Sequence, residues 1–325
     1  MPTFVVVSYD SYRYWGTVMK VPVGLAPLFA AVLVLPTLAQ EQDAAPVFKA
    51  ESELVVLHVN VFDGRSDAVP NLPGDAFTVV EDNIPQKITF FRDEDVPVAV
   101  GLIVDNSGSM ITRRPMVLAG TKTFAESSHP EDELFTIVFN EHVRHGLPAT
   151  LLFTRNHLQI QNAVARFPAG GQTALHDAVI AGLEHLHEAS HQKRVLVVLA
   201  DGEDNASRHS AEDMLARAAR SDALIYTVST AQLAADIGNP GLLKKLAQCS
   251  GGVAYTPKSE RAVVDAFQEI AQNIRRGYSI GYVPTNTVHD GRFRRVKVAV
   301  RAPGFKNLTV VARDGYLAPH HADTK

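Results

Sequence analysis

The chain has 325 residues, 46% of them hydrophobic and 20% charged, with a net charge of −4. That length suits two domains with a substantial core, and that balance excludes a disordered or fibrous chain. With slight acidity, no long basic run and no basic-aromatic interleaving, a nucleic-acid partner is not expected.

The N-terminal stretch is not globular in character. Lys20 precedes an apolar run from Val21 to Leu38, broken by Pro22, Pro27 and Pro36. A positive start, an apolar stretch and small residues before the polar Gln40-Glu41-Gln42-Asp43 describe a secretory signal cut after Ala39. Residues 1–18 fit such a leader poorly because they carry Asp10 and Arg13, so translation is expected to begin at Met19. An uncleaved anchor is the alternative. The signal implies a secreted, periplasmic or cell-surface protein, and no later apolar run is long enough to span a bilayer. Cys249 is the one cysteine, which leaves no internal disulfide.

Residues 40–47 read as a linker. The alternation from Leu54 to Phe62 predicts a strand, with further strands over 77–81 and 86–91. After Pro97 the character changes. Val98–Val104 is apolar throughout except for Gly101, as in a strand buried on both faces of a parallel sheet. The pattern repeats over 134–139, 195–200, 224–228 and 252–255. Helical stretches fall between, at about 111–127, 156–167, 174–190, 210–220, 239–249 and 260–275. Strands alternating with helices predict an α/β domain with a doubly wound, mainly parallel sheet over 96–276. Strands return over 278–283, 294–301 and 308–313. The flanks, 48–95 and 277–318, are each too small to form a sandwich. They are expected to pair into one β-sandwich with the α/β domain inserted, leaving 319–325 as a tail; two independent small β pieces are the alternative.

The first buried strand ends in Asp105-Asn106-Ser107-Gly108-Ser109. Ligands of open α/β sheets sit beyond the carboxyl ends of strands. A carboxylate and two hydroxyls at alternate positions can point into one site there. Taken alone, the segment also fits a helix cap. Gly170-Gly171-Gln172-Thr173 adds a hydroxyl on a glycine turn, and Asp201-Gly202 adds a second carboxylate at a strand end. Asp105, Ser107, Ser109, Thr173 and Asp201 supply oxygens with only two negative charges. That set suits Mg²⁺, with Mn²⁺ or Ca²⁺ as alternatives, and leaves the ion electron-poor. A carboxylate from outside could then replace a bound water.

These three segments resemble the metal-ion-dependent adhesion site of von Willebrand factor A domains, with the strand, threonine and second aspartate in the same order. The resemblance spans about 96–276. The whole layout, including Phe77-Thr78-Val79-Val80-Glu81-Asp82 and Gly281-Tyr282-Val283-Pro284, is similar to exported A-domain-related proteins of acidobacteria. It implies direct metal ligation by Ser107, Ser109 and Thr173, with Asp105 and Asp201 acting directly or through water. It implies a non-enzymatic adhesion module whose protein partner presents an Asp or Glu side chain. Asn106, Gly171, Gln172, Glu203 and Asp204 are expected to surround the metal on the partner-facing side. A metal-dependent hydrolase and a module whose metal only stabilises the fold remain the other readings.

Two further motifs are weaker. His187-Glu188-Ala189-Ser190-His191 matches the zinc-protease pattern H-E-x-x-H but lies at a helix end with no third ligand in sight. The residues from Asp201 to Glu212 have EF-hand-like spacing, but Ala206 stands where that loop needs glycine. Arg295, Lys297 and Arg301 share one strand face opposite Val296, Val298 and Val300, and read as a solvated face.

Overall fold

The computed structural model describes residues 54–64, 67–93, 95–231 and 238–320. The expected signal, the new start at Met19 and the linker lie outside these residues.

The N-terminal flank forms β1 (Val55–Phe62), β2 (Phe77–Glu81), β3 (Ile84–Gln86) and β4 (Ile88–Arg92). The single strand expected over 86–91 is therefore two. It breaks at Lys87 because Gln86 is buried, its Nε2 donating to Thr285 Oγ1 (3.0 Å) while Thr285 N–H donates to its Oε1 (3.1 Å). The chain then crosses to the other sheet, which a periodicity pattern does not register.

The central part contains β5 (Ala99–Asp105), β6 (Glu133–Phe139), β7 (Val143–His145), β8 (Arg194–Ala200), β9 (Leu224–Ser229) and β10 (Ala254–Tyr255). They lie in the order β10-β9-β8-β5-β6-β7, parallel except for the edge strand β7. Every residue of β5 is buried, as its unbroken apolar run requires. The helices are α1 (Arg114–Ser127), α2 (His157–Ala165), α3 (Leu175–Leu186), α4 (Ala211–Arg220), α5 (Pro240–Ser250) and α6 (Glu260–Arg276). Helices α1, α2 and α6 pack together, and α3, α4 and α5 form the second group. The first helix starts at Arg114, not 111, after a 3-10 turn over Gly108–Met110. Pro115 in its first turn suits a helix start.

The C-terminal flank adds β11 (Tyr278–Tyr282), β12 (Phe293–Val300), β13 (Thr309–Val311) and β14 (Gly315–Leu317). Both flanks contribute to both sheets, β13-β1-β11-β4 and β14-β12-β2-β3. The α/β domain is thus inserted in one β-sandwich. Alternate residues Leu57, Val59 and Val61 of β1 pack against Phe77, Val79, Ile280 and Val296 in its core. Buried Glu81 of β2 accepts hydrogen bonds from Tyr282 (2.8 Å) and Tyr316 (2.9 Å), joining the two sheets. Burial, with the carboxylate beside it, pushes the Tyr282 hydroxyl far above the usual phenol range.

The sandwich meets the α/β domain around the amino ends of the parallel strands. Asn60 Nδ2 donates to Tyr226 Oη (3.1 Å), and Arg313, from the C-terminal flank, donates to the Ser221 carbonyl just before β9. The carboxyl ends of those strands therefore face away from the sandwich.

His58 lies at this junction, with Nδ1 3.2 Å from Ser279 Oγ. Burial first, then the charges of Lys193 and Arg313, push its imidazole from 6.5 down to about 3. The fold thus holds His58 neutral. Its contribution is fully present above pH 6.5 and is lost as pH falls from there toward 3, by at most ~1.4 kcal/mol per pH unit. Urea unfolding between pH 6.5 and 4.5 should show a shallower loss of stability in His58→Gln than in the parent.

Candidate metal centre

Strand β5 carries Asp105 to its carboxyl end, where the residue is 0% exposed. Its Oδ1 accepts the Ser107 N–H at 2.8 Å, closing a tight turn. Its Oδ2 is buried with no hydrogen-bond partner. Ser107 Oγ lies 3.1 Å from Ser109 Oγ, and Ser109 Oγ donates to Asp201 Oδ2 at 2.7 Å. The loops after β5 and β8 thus meet through side chains 92 residues apart in sequence. Asp201 Oδ1 accepts the Glu203 N–H at 3.0 Å, so both of its oxygens are held.

Backbone contacts bring in the third segment. Gly108 N–H donates to the Gly171 carbonyl (3.0 Å), and Gly170 N–H donates to the Asn106 carbonyl (2.9 Å). Thr173 follows, buried, with its N–H on Asn205 Oδ1 (2.8 Å) and its carbonyl accepting from Asn205 and Ala206. Among the described residues the Thr173 hydroxyl makes no hydrogen bond. The two carboxylates and the Ser107 and Ser109 hydroxyls are in contact. Thr173 is clamped beside them through the backbone.

Burial pushes the Asp105 carboxyl up to about 7, with the Asp201 charge adding to the rise and Ser107 opposing it. A buried, unpaired carboxylate oxygen next to a second carboxylate is costly without a cation. The residues fit a hard divalent ion: all donors are oxygen, and among the described residues Asp105 Oδ2 and the Thr173 hydroxyl lack any other partner.

Of the residues expected around the metal, Gly171, Gln172 and Glu203 are exposed. Asn106 is buried. Its Nδ2 donates to the Pro168 carbonyl (2.6 Å), and its Oδ1 accepts from Arg114. Asp204 turns back into its own loop, accepting from His176 N–H (3.0 Å) and Ser207 Oγ (2.6 Å). Both brace the centre from within. The side chain of Ile111, 57% exposed, stands just after the serine loop.

Three braces lie outside the motif residues. Asn140 Nδ2 donates to the Gly170 carbonyl (3.0 Å) and Glu141 Oε2 accepts the Gln172 N–H (3.0 Å). Asn205 holds Thr173. The signal for the first two was their place at the carboxyl end of β6, the strand next to β5. Gly171 has φ +85°, and a Cβ there would lie 1.8 Å from Glu141 Oε2. Gly171→Ala is expected to destabilise the fold by about 1–3 kcal/mol and to weaken Mg²⁺ binding, because Thr173 loses its anchor. Calorimetric titration of Mg²⁺ into the variant would measure this.

The weaker motifs find no metal geometry. Helix α3 ends at Leu186, with His187 as its cap, so H-E-x-x-H does not sit on a helical face. Ser190 instead binds Glu133, Oγ to Oε1 at 2.5 Å. Among the described residues no group of three His, Cys, Asp or Glu side chains is placed to hold a metal ion.

An open parallel sheet with an oxygen-only cluster at its carboxyl edge defines an A-type domain. Residues 100–270 match the model of the von Willebrand factor type A domain, and the chain belongs to that family, whose members are generally protein-interaction or adhesion modules. Among solved structures it is similar to a von Willebrand factor type A protein from Catenulispora acidiphila, at 16% identity and TM-score 0.48, covering 85% of this chain and 76% of that one. It is also similar to the vWF domain of the type V pili tip protein Mfa5 from Porphyromonas gingivalis, at 12% identity and TM-score 0.46, covering 55% of this chain and 95% of that one. No curated protein matches. Among the described residues no helix is long and apolar enough to cross a membrane.

Proposed function

We propose that this is an exported, non-enzymatic adhesion module, in which Asp105, Ser107, Ser109, Thr173 and Asp201 hold Mg²⁺ and the ion takes an Asp or Glu side chain of a protein partner. The observation that carries the reading is the unpartnered Asp105 Oδ2 within a cluster of hydroxyl and carboxylate oxygens. The cluster lies at the end of the domain that the sandwich leaves uncovered. When bound, the ion supplies a Lewis-acidic position for an incoming carboxylate. The protein's part is to orient the oxygens and keep the donor set low in charge. Asp105 and Asp201 are held by backbone N–H groups, and the hydroxyls add no charge. Exposed Gln172 and Glu203 flank the approach. A boundary of the A domain at 96–276 and cleavage of the leader after Ala39 complete the proposal.

The test uses acetyl-glutamate amide as a partner mimic, with acetyl-glutamine amide as control. In Mg²⁺, the glutamate derivative should shift the backbone NMR signals of Ser109 and Thr173, and the glutamine derivative should not. Chelator, or Thr173→Ala in a folded protein, should abolish the shift. Equal shifts with and without chelator would reject the proposal. Capture of an envelope protein in Mg²⁺ but not in chelator would then supply the partner.

A further inference from the structure

The outer face of the second sandwich sheet carries charge that the fold itself does not use. Along β12 the outward side chains are Phe293, Arg295, Lys297 and Ala299, and Arg301 follows the strand. Phe293 is 50% exposed. Among the described residues the side chains of Arg295, Lys297 and Arg301 have no hydrogen bond or ion pair. Arg294, on the inner face of the same strand, is in contrast buried and held by Asp290 and the Val288 carbonyl, each at 2.9 Å. Within the ladder β2 brings no charge to the row, with Lys297 opposite Val80 and Ala299 opposite Thr78; just beyond it Asp82 accepts the Arg295 N–H.

Arg295 and Lys297 are two residues apart on an extended strand, so their Cα atoms are ~7 Å apart. Unpaired like charges at that spacing repel. Lysines and arginines on an edge strand discourage association, and Lys297 and Arg301 lie beyond the short Phe293–Arg295 ladder with β14. Arg295 is paired with Gly315 on one side and bonded to Asp82 on the other, so edge protection does not account for it. Beside them lies a depression of about 260 Å³, lined by Val80, Asp82, Asn83, Phe293, Arg295 and Lys297. Its floor is fixed. Asp82 and Asn83 form a tight turn with φ +46° and +68°, and Asp82 Oδ1 accepts the Arg295 N–H at 2.9 Å.

We propose that this depression binds an anionic sugar unit of an acidic polysaccharide. The carboxylate or sulfate lies between Arg295 and Lys297, the C–H face of the ring lies on Phe293, and sugar hydroxyls reach the Asn83 amide. Charge complementarity selects the polyanion, and the aromatic wall with its hydrogen-bonding turn selects a sugar ring. A bilayer would need more than one large exposed apolar side chain on this face. A nucleic acid would draw on a broad cationic footprint, whereas the chain has a net charge of −4.

The test is binding of the full chain to immobilised polygalacturonate and to heparin at low salt, with chelator present. The metal centre is then silent, and the outcome is independent of its assignment. Saturable binding is expected to at least one of the two, and none to neutral dextran; which one binds tells carboxylate from sulfate. Arg295→Ala/Lys297→Ala should weaken binding by about tenfold and Phe293→Ala by a smaller factor, with unchanged melting temperatures. The proposal is overturned if neither polymer binds or if the double variant binds as well as the parent. It is also overturned if dextran is retained equally, or if phosphatidylglycerol vesicles or oligothymidylate bind more tightly than both polysaccharides.

Discussion

Asp105→Asn is expected to abolish the Mg²⁺-dependent gain in melting temperature while leaving the metal-free protein at least as stable as the parent. The two effects have one cause. Without metal, Asp105 Oδ2 is a buried acceptor with no partner, a condition that costs roughly 1–3 kcal/mol. The substitution removes the charge and keeps the shape. In the proposed metal centre the same oxygen is the reason the ion would bind. At a Mg²⁺ concentration about a hundredfold above its dissociation constant, the parent gains ~2.7 kcal/mol, or roughly 5–10 °C in a domain of this size. The variant gains nothing. Differential scanning fluorimetry with Mg²⁺ and with chelator separates the cases. A parent that melts identically in both would remove the metal from the account.

Asp132→Ala is expected to be the most damaging single substitution outside the metal centre, costing about 3–5 kcal/mol. Asp132 is 1% exposed and precedes β6. One oxygen accepts the Val98 N–H (2.9 Å); the other accepts the His129 N–H (2.9 Å) and pairs with Arg275. Arg275 also binds Asp95 and the Val96 carbonyl. Truncation would leave two backbone donors without their acceptor and strip a largely buried guanidinium of its buried carboxylate, leaving it only exposed Asp95 and the Val96 carbonyl. The surface pair Arg261–Asp265 is the natural control, since an exposed pair of this kind is worth well under ~1 kcal/mol. Urea midpoints for Asp132→Ala and Asp265→Ala should differ accordingly; similar midpoints would show that the junction carries little of the stability.

The α/β domain was legible because its strands are buried on both faces and read as plain apolar runs. The residues of the candidate centre were legible for a related reason. Asp105, Ser107, Ser109 and Asp201 sit at or just after the point where such a run stops, and Thr173 ends a glycine turn before α3. Asn140, Glu141 and Asn205 escaped because their work is done on the backbone of distant loops, and local sequence carries no trace of that. Asn106 looked like a partner-facing residue because it lies between two candidate ligands, but its amide satisfies carbonyls behind the loop. Strand β7 at the edge of the α/β sheet and β14 in the sandwich were missed because three residues are too few to show a period. The change of sheet at Lys87 was hidden because alternation continues through it.

The chain enters the inserted domain after β4 and leaves it through α6 and Gly277 directly into β11. Those two strands are hydrogen-bonded neighbours, with Arg92 opposite Ser279. A tensile load applied at the metal end would therefore enter the sandwich through two adjacent strands at once. Both would be drawn lengthwise in the same direction. On the far side of β11, β1 resists through the ladder from Val55 to Val59, so its bonds are sheared together and not unzipped in turn. A single flexible linker would let the A domain swivel, whereas this paired attachment makes it a stiff head on a short stalk.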